Sequence, residues 1–102
     1  MGWASLHIEK LRRGETVSFR PVGDSMTPRI RSRQLVTVAP VDAADVALGD
    51  IVLVNVNGNQ MLHLVSAIDV TRERFQISNN HGHVNGWCAL ANVYGILTRV
   101  EP

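Results

Sequence analysis

The segment DIVLVNVNGNQMLHL, residues 50–64, carries the strongest structural signal in the sequence. Its first part, residues 50–56, is rich in β-branched side chains, which favour extended strands. Asn57-Gly58 follows, and this dipeptide is typical of a two-residue type I′ turn, because both central positions of that turn need a positive φ. The sequence therefore predicts a β-hairpin in which residues 50–56 pair with a strand over about residues 60–68.

Further strand patterns lie on both sides of this hairpin, at residues 16–22, 35–41, 74–78 and 93–100. Ahead of them, apolar residues at three- and four-residue steps predict a short amphipathic helix over residues 3–13, which Gly14 is well placed to end. We therefore expect a mostly β fold of five to seven short strands, in a coiled antiparallel sheet or partly open barrel with a short N-terminal helix. Residues 1–14 would form the helical segment and residues 15–102 a single β domain.

The composition is that of a soluble globular protein. Of the 102 residues, 45% are hydrophobic and 19% are charged, and a net charge of +1 provides no general attraction to nucleic acid or membranes. Cys88 is the only cysteine, which excludes an intrachain disulfide and a thiolate metal cluster. No segment has the apolar length of a signal peptide or a membrane span, so we expect a cytoplasmic protein.

The stretch VGDSMTPRI, residues 22–30, contains a candidate nucleophile. Gly23 permits a tight turn ahead of Ser25, and Asp24 can hydrogen-bond locally within that turn. A serine at such a junction has an exposed hydroxyl with backbone N–H groups nearby, which suits an oxyanion hole. The alternative is that Ser25 serves only the turn, as serine commonly does in segments rich in glycine, aspartate and proline.

The order of five segments resembles the LexA-like and signal-peptidase-like serine peptidase superfamily. They are GDSMTPRI (23–30), GDIVLV (49–54), QMLHLVSAID (60–69), FQISNNHGHVNGW (75–87) and VYGILTRV (93–100). The resemblance covers about residues 19–100, and the combination of the first two segments is its most specific part. It implies the coiled β fold of these peptidases, with Ser25 as the nucleophile and Met26 in the wall of the substrate cleft. It also implies oxyanion binding by the Ser25 N–H, with the region around Gly23 shaping the turn.

The general base is where this chain departs from most of the superfamily, which has a lysine in the matching strand. Lys10 is the only lysine and precedes the serine, so the usual serine–lysine dyad is excluded. His63 occupies the matching position, as a histidine does in some signal peptidases, and a neutral imidazole can accept the serine proton near neutral pH. The alternative is a structural histidine between two leucines. The turn aspartate of those peptidases is also absent, so we expect Asn79 or Asn80 to orient the ring.

Two other clusters carry weaker signals. His81 and His83 lie two residues apart without a paired carboxylate or thiolate, while Gly82, Asn85 and Gly86 are typical of turns. We therefore predict a polar loop near the cleft, with no metal site and no cofactor. The alternating arginines 29, 31 and 33 are typical of a solvated edge, and we do not expect a nucleic-acid partner.

Together these features predict a soluble serine endopeptidase with a Ser25–His63 dyad, which binds a peptide or protein substrate as an extended strand. The alternative is a binding module that keeps the peptidase fold without efficient catalysis and binds peptides or protein partners. A homodimer formed through an exposed strand or through residues 95–102 would fit the resemblance, and no membrane partner is expected.

Overall fold

The structure is a computed structural model that describes residues 2–102. Within these residues there are one α-helix and seven β-strands, in the order α1 (Ser5–Arg12), β1 (Val17–Phe19), β2 (Leu35–Pro40), β3 (Ile51–Val56), β4 (Asn59–Asp69), β5 (Arg74–Ser78), β6 (Val84–Ala89) and β7 (Val93–Glu101). Short 3₁₀ turns at Ala43–Asp45 and Leu90–Asn92 precede β3 and β7. In the described part of the chain, no helix has the length and apolar character needed to cross a membrane.

The strands form one sheet in the order β1-β2-β7-β3-β4-β5-β6, and every neighbouring pair is antiparallel. The sheet is not closed into a barrel. It is nevertheless strongly curved: a Cβ atom placed on Gly86 of β6 would lie 3.1 Å from the Val56 side chain of β3, although β4 and β5 separate these strands. The predicted mostly β, antiparallel fold with one short helix is confirmed.

The predicted hairpin is confirmed and lies at the centre of the sheet. Asn57 and Gly58 have φ values of 52° and 86°, as a type I′ turn requires, and Val56 pairs with Asn59 across it. The Asn55 side chain accepts a hydrogen bond from the Gly58 N–H at 2.9 Å, which further fixes the turn. Because this turn sets the register of β3 against β4, it also sets the position of His63, which pairs with Val52.

Both faces of β3 are buried, which explains its nearly continuous apolar sequence. Ile51 and Leu53 belong to a core shared with α1, β1 and β2, whereas the valines at 52, 54 and 56 belong to a second core with β5 and β6. The helix packs closely on β7 through Gly95. A Cβ atom at Gly95 would lie only 2.6 Å from Val38 Cγ1 and 3.0 Å from Leu11 Cδ1.

Strand β6 was not expected, and the prediction that Asn85 and Gly86 belong to a turn is wrong. These residues lie within β6, which pairs with β5 along its length. The register shifts between Ile77 and Ser78, opposite Gly86, and Gly86 has a φ of 146°. Gly86 pairs with Ile77 and Val84 with Ser78, so Asn85 is the extra residue of a bulge. Glycine follows it where the strand curves over β3, since a side chain there would be both strained and crowded.

Candidate active site

Ser25 lies in an exposed turn between β1 and β2. Gly23 has a φ of 120°, which favours glycine, and the Thr27 N–H donates to the Asp24 carbonyl at 3.2 Å to close the turn. Met26 and Ile30 point inward and are each only 4% exposed, so they fasten the turn to the core beneath it. Met26 also lines a small recess together with Ser25 and Leu62, next to the larger cleft described below.

The structure brings Ser25 and His63 together, although they lie 38 residues apart in the sequence. The Ser25 Oγ and His63 Nε2 atoms are 3.1 Å apart, which is hydrogen-bond distance. His63 is half-buried on β4, whereas the Ser25 hydroxyl is exposed in its turn. The pair therefore forms where the turn meets β4, at the position that pairs with Val52 of β3.

The other ring nitrogen of His63 is bound by Asn85 of β6, with Nδ1 and Oδ1 2.7 Å apart. An amide oxygen can only accept a hydrogen bond, so the ring proton lies on Nδ1. Nε2 then carries a lone pair and accepts from the Ser25 hydroxyl. The arrangement is a serine, a histidine in the tautomer that a general base requires, and an orienting amide.

Asn79 and Asn80 were expected to orient His63, and this expectation is wrong. Asn79 Oδ1 instead accepts the backbone N–H groups of His81 and His83, both at 2.9 Å, because it caps its own loop. The Asn80 side chain donates to the Thr27 carbonyl at 3.0 Å, and its backbone N–H donates to the Ser25 carbonyl at 2.8 Å. Both asparagines are thus committed to the backbone.

Sequence reasoning missed Asn85 because Gly82 and Gly86 made its surroundings resemble a turn. A signal was present nonetheless, since Trp87 and Cys88 follow directly and are compatible with a strand. Pairing residues 84–89 with the strand at 74–78 would have placed Asn85 in the sheet, on the second strand from the one that carries His63.

The loop at residues 79–83 holds the turn around Ser25 in place. His81 Nε2 lies 3.0 Å from the Asp24 carbonyl oxygen and 3.0 Å from Thr27 Oγ1. Because a carbonyl oxygen only accepts, Nε2 carries a proton and donates it. With the two bonds from Asn80, the loop contacts Asp24, Ser25 and Thr27 and so fixes the backbone of the turn.

The Ser25 N–H is a candidate backbone donor for an oxyanion. Among residues 2–102, no acceptor is hydrogen-bonded to the Ser25 N–H. The Gly23 N–H, by contrast, donates to Ser32 Oγ at 3.1 Å and is occupied. Gly23 therefore shapes the turn, while Ser25 itself supplies the candidate oxyanion donor.

The electrostatic environment keeps His63 neutral. Its burial lowers the pKa of the imidazole below its ordinary value of 6.5, and the nearby His83 lowers it further. The hydrogen bond to Asn85 works in the opposite direction and raises the pKa, but burial dominates. The ring is therefore unprotonated at neutral pH and able to accept a proton. Within the described residues, no three histidine, cysteine, aspartate or glutamate side chains converge to hold a metal ion.

A cleft of about 470 Å³ opens directly beside the pair. Ser25 and His63 lie in its wall together with Leu62 of β4 and Val22, which precedes the turn around Ser25. Its remaining walls come from β1 and from the segment at the start of α1. A reacting group bound in this cleft would thus have access to both side chains.

No protein-family model, curated protein or solved structure matches this chain. We therefore infer its function from the order of its motifs and from the contacts around Ser25.

Proposed function

We propose that this protein is a serine endopeptidase of the LexA-like or signal-peptidase-like type, with Ser25 as the nucleophile and His63 as the general base. The observation that carries the proposal is the 3.1 Å contact between Ser25 Oγ and His63 Nε2, in a ring whose Nδ1 is held by Asn85. The motif order over residues 19–100 and the open, curved antiparallel sheet support the same assignment.

The proposed reaction follows from the protonation state of the ring. His63 Nε2 takes the hydroxyl proton as Ser25 Oγ attacks the carbonyl carbon of the peptide bond. The resulting oxyanion accepts a hydrogen bond from the Ser25 N–H. The imidazolium then gives its proton to the leaving amine as the C–N bond breaks. Water, deprotonated by the same ring, hydrolyses the acyl-enzyme and restores Ser25.

We propose a peptide or protein substrate that binds in extended form, because the nucleophile turn continues directly from β1, an edge strand of the sheet. Cys88, the only cysteine, is buried and unpaired, and burial raises the pKa of its thiol. It is therefore suited to a packing role in a reducing compartment, and the cytoplasm is the proposed location.

A fluorophosphonate probe tests the proposal directly, because an activated serine displaces its fluoride and becomes phosphonylated. We expect covalent labelling of wild type at Ser25, loss of labelling in Ser25→Ala, and labelling at least about 100-fold slower in His63→Ala. Ser18→Ala is the matched control, since Ser18 is an exposed serine on β1 whose hydroxyl pairs only with Thr37. Labelling that persists in Ser25→Ala would refute Ser25 as the nucleophile.

One observation favours the second candidate, a binding module with the same fold. Asn85 places an uncharged amide beside His63 Nδ1, where a carboxylate would stabilise the imidazolium far better. If this candidate is right, wild type binds peptides, its affinity is equal in Ser25→Ala, and neither protein reacts with the probe. The homodimer stays a prediction under either candidate.

A further inference from the structure

The large cleft has one wall that lies outside the proposed catalytic residues and their motifs. Trp3 and His7, from the segment around α1, form that wall, and Phe19 of β1 lines the cleft in contact with both of them. Leu62 of β4 also lines the cleft. The cleft therefore extends from Ser25 and His63 toward a cluster of rings.

These rings are packed on one another. The His7 ring stacks on Phe19 with centroids 4.5 Å apart, and the Trp3 ring lies 5.5 Å from Phe19 in a tilted arrangement. Burial lowers the pKa of His7, and Lys10 lowers it further, so this ring is uncharged at neutral pH. Trp3 lines the cleft and is 54% exposed, so its indole is accessible to a ligand.

The wall is fixed to the strand that carries His63. The Trp3 indole N–H donates to the Gln60 carbonyl at 3.1 Å, and the Ala4 N–H donates to the Gln60 side chain at 2.9 Å. Gln60 in turn donates to the Ser5 hydroxyl at 3.2 Å, and Ala4 is fully buried. Gln60 precedes His63 by three residues on β4, so the position of the wall relative to the base is set by one strand.

The charge of the cleft restricts its occupant. Among the described residues, Arg20 is the one lysine, arginine, aspartate or glutamate that lines it, and its guanidinium donates to the Arg33 carbonyl at 2.8 Å. With a positive charge and no carboxylate, the cleft disfavours lysine and arginine side chains. Its aromatic and aliphatic walls instead suit a large apolar side chain, and its volume is in the range of ligand-binding clefts.

We propose that this cleft is a specificity subsite for a bulky apolar side chain of the peptide substrate, with Trp3 and Phe19 as the specificity-determining residues. The inference rests on the proposed function, because continuity with Ser25 and His63 is what makes the occupant part of a substrate. The segment preceding the β domain thus contributes to selectivity rather than only to packing.

A peptide panel tests the proposal, with the residue near the scissile bond varied among large apolar, small apolar and basic side chains. In wild type we expect kcat/KM for large apolar peptides to exceed that for small apolar peptides by about 10- to 100-fold, with basic peptides the poorest. Trp3→Ala should reduce this ratio by about tenfold or more. Leu6→Ala is the matched control, because Leu6 lies three residues after Trp3, on α1, is 69% exposed and does not line the cleft.

Leu6→Ala should keep both the ratio and the labelling of Ser25. An equal ratio in Trp3→Ala and Leu6→Ala, or a preference for basic peptides, would overturn the proposal while leaving Ser25 labelling, and thus the proposed function, intact.

A binding measurement also separates the two proposals, because it detects the subsite without requiring cleavage. The chain has two tryptophans, so Ser25→Ala combined with Trp87→Phe leaves Trp3 as the sole tryptophan reporter in a protein that does not cleave its ligand. We expect a saturable change of Trp3 fluorescence with a phenylalanine-containing peptide and none with the matched lysine peptide. A fluorescence change with the phenylalanine peptide alone, in the absence of any labelling of wild type at Ser25, would support the subsite and refute the proposed peptidase function. Equal fluorescence changes with both peptides would refute the subsite.

Discussion

Replacing Asn85 by aspartate changes the group that holds His63 from a neutral amide to a carboxylate of nearly the same shape. In the present structure Asn85 Oδ1 lies 2.7 Å from Nδ1, so the new negative charge would face the imidazolium directly as it forms. If His63 is the general base, the charged intermediate becomes more stable relative to the resting pair, and acylation of Ser25 becomes faster.

The size of the gain follows from the geometry. Charge centres about 4 Å apart at an effective dielectric of about 20 attract by about 4 kcal/mol. Because the site is half-buried, the carboxylate loses part of its hydration, which reduces this attraction to a net gain of about 1.5–3 kcal/mol. A gain of that size corresponds to a rate increase of about 10- to 100-fold. The carboxylate also opposes the burial effect that lowers the pKa of His63 in wild type, so the pKa rises. Since only the neutral ring accepts a proton, the rate increase should be largest at alkaline pH.

The assay is the second-order rate of fluorophosphonate labelling at Ser25 from about pH 5 to pH 9. Asn85→Asp should label faster on the alkaline plateau, and its acid limb should lie at higher pH than that of wild type. Asn92→Asp adds the same charge at an exposed position in the 3₁₀ turn before β7 and should change neither quantity. A folded Asn85→Asp protein with an unchanged plateau and limb would refute the role of His63 as the base.

Three further outcomes are expected. In wild type, labelling should rise with pH along a limb centred below 6.5, since burial lowers the pKa of His63; a limb centred above 6.5 contradicts this. Stability against urea should fall as the pH drops below 6.5. The pKa values of His7 and His63 are lowered in the folded state, so the unfolded chain binds protons more readily in this pH range. A steeper fall of stability in His63→Asn than in wild type would contradict the contribution of His63. Gly95→Ala should cost about 1–3 kcal/mol of unfolding free energy, because its Cβ would lie 2.6 Å from Val38 Cγ1 and 3.0 Å from Leu11 Cδ1. An unchanged urea midpoint would show that β2 and α1 both adjust without cost.

The parts of the fold that the sequence predicts are those with local signals. Asn57 and Gly58 determine a turn by their own backbone preferences, and the β-branched residues before them determine a strand, so the central hairpin needs no information from elsewhere in the chain. The end of α1 near Gly14 is likewise a local matter, and Gly14 adopts a φ of 84°. Strand β6 is different, because Gly86 becomes part of a strand only through its bulged pairing with β5 and its contact with Val56.

The candidate site divides in the same way. Ser25 and His63 could be identified because each lies in a motif whose order along the chain is informative. Asn85 was missed, since its partner is 22 residues away and the strand that presents it was itself not recognised. Asn79 and Asn80 carry the same side chain and were therefore plausible candidates, but their amides are hydrogen-bonded to nearby backbone groups instead of to the His63 ring.

The position of β6 at the end of the strand order has a consequence for how the site responds to fluctuations. Within the sheet β6 is hydrogen-bonded to β5 alone, so it can open locally while the central strands stay protected. Each such opening releases Asn85 and leaves the proton of His63 free to move between its two nitrogens. The fraction of molecules in which the His63 proton is held on Nδ1 then depends on the opening equilibrium of this one outer strand. Amide hydrogen exchange along Val84–Ala89 measures that quantity, whereas the melting temperature of the domain does not.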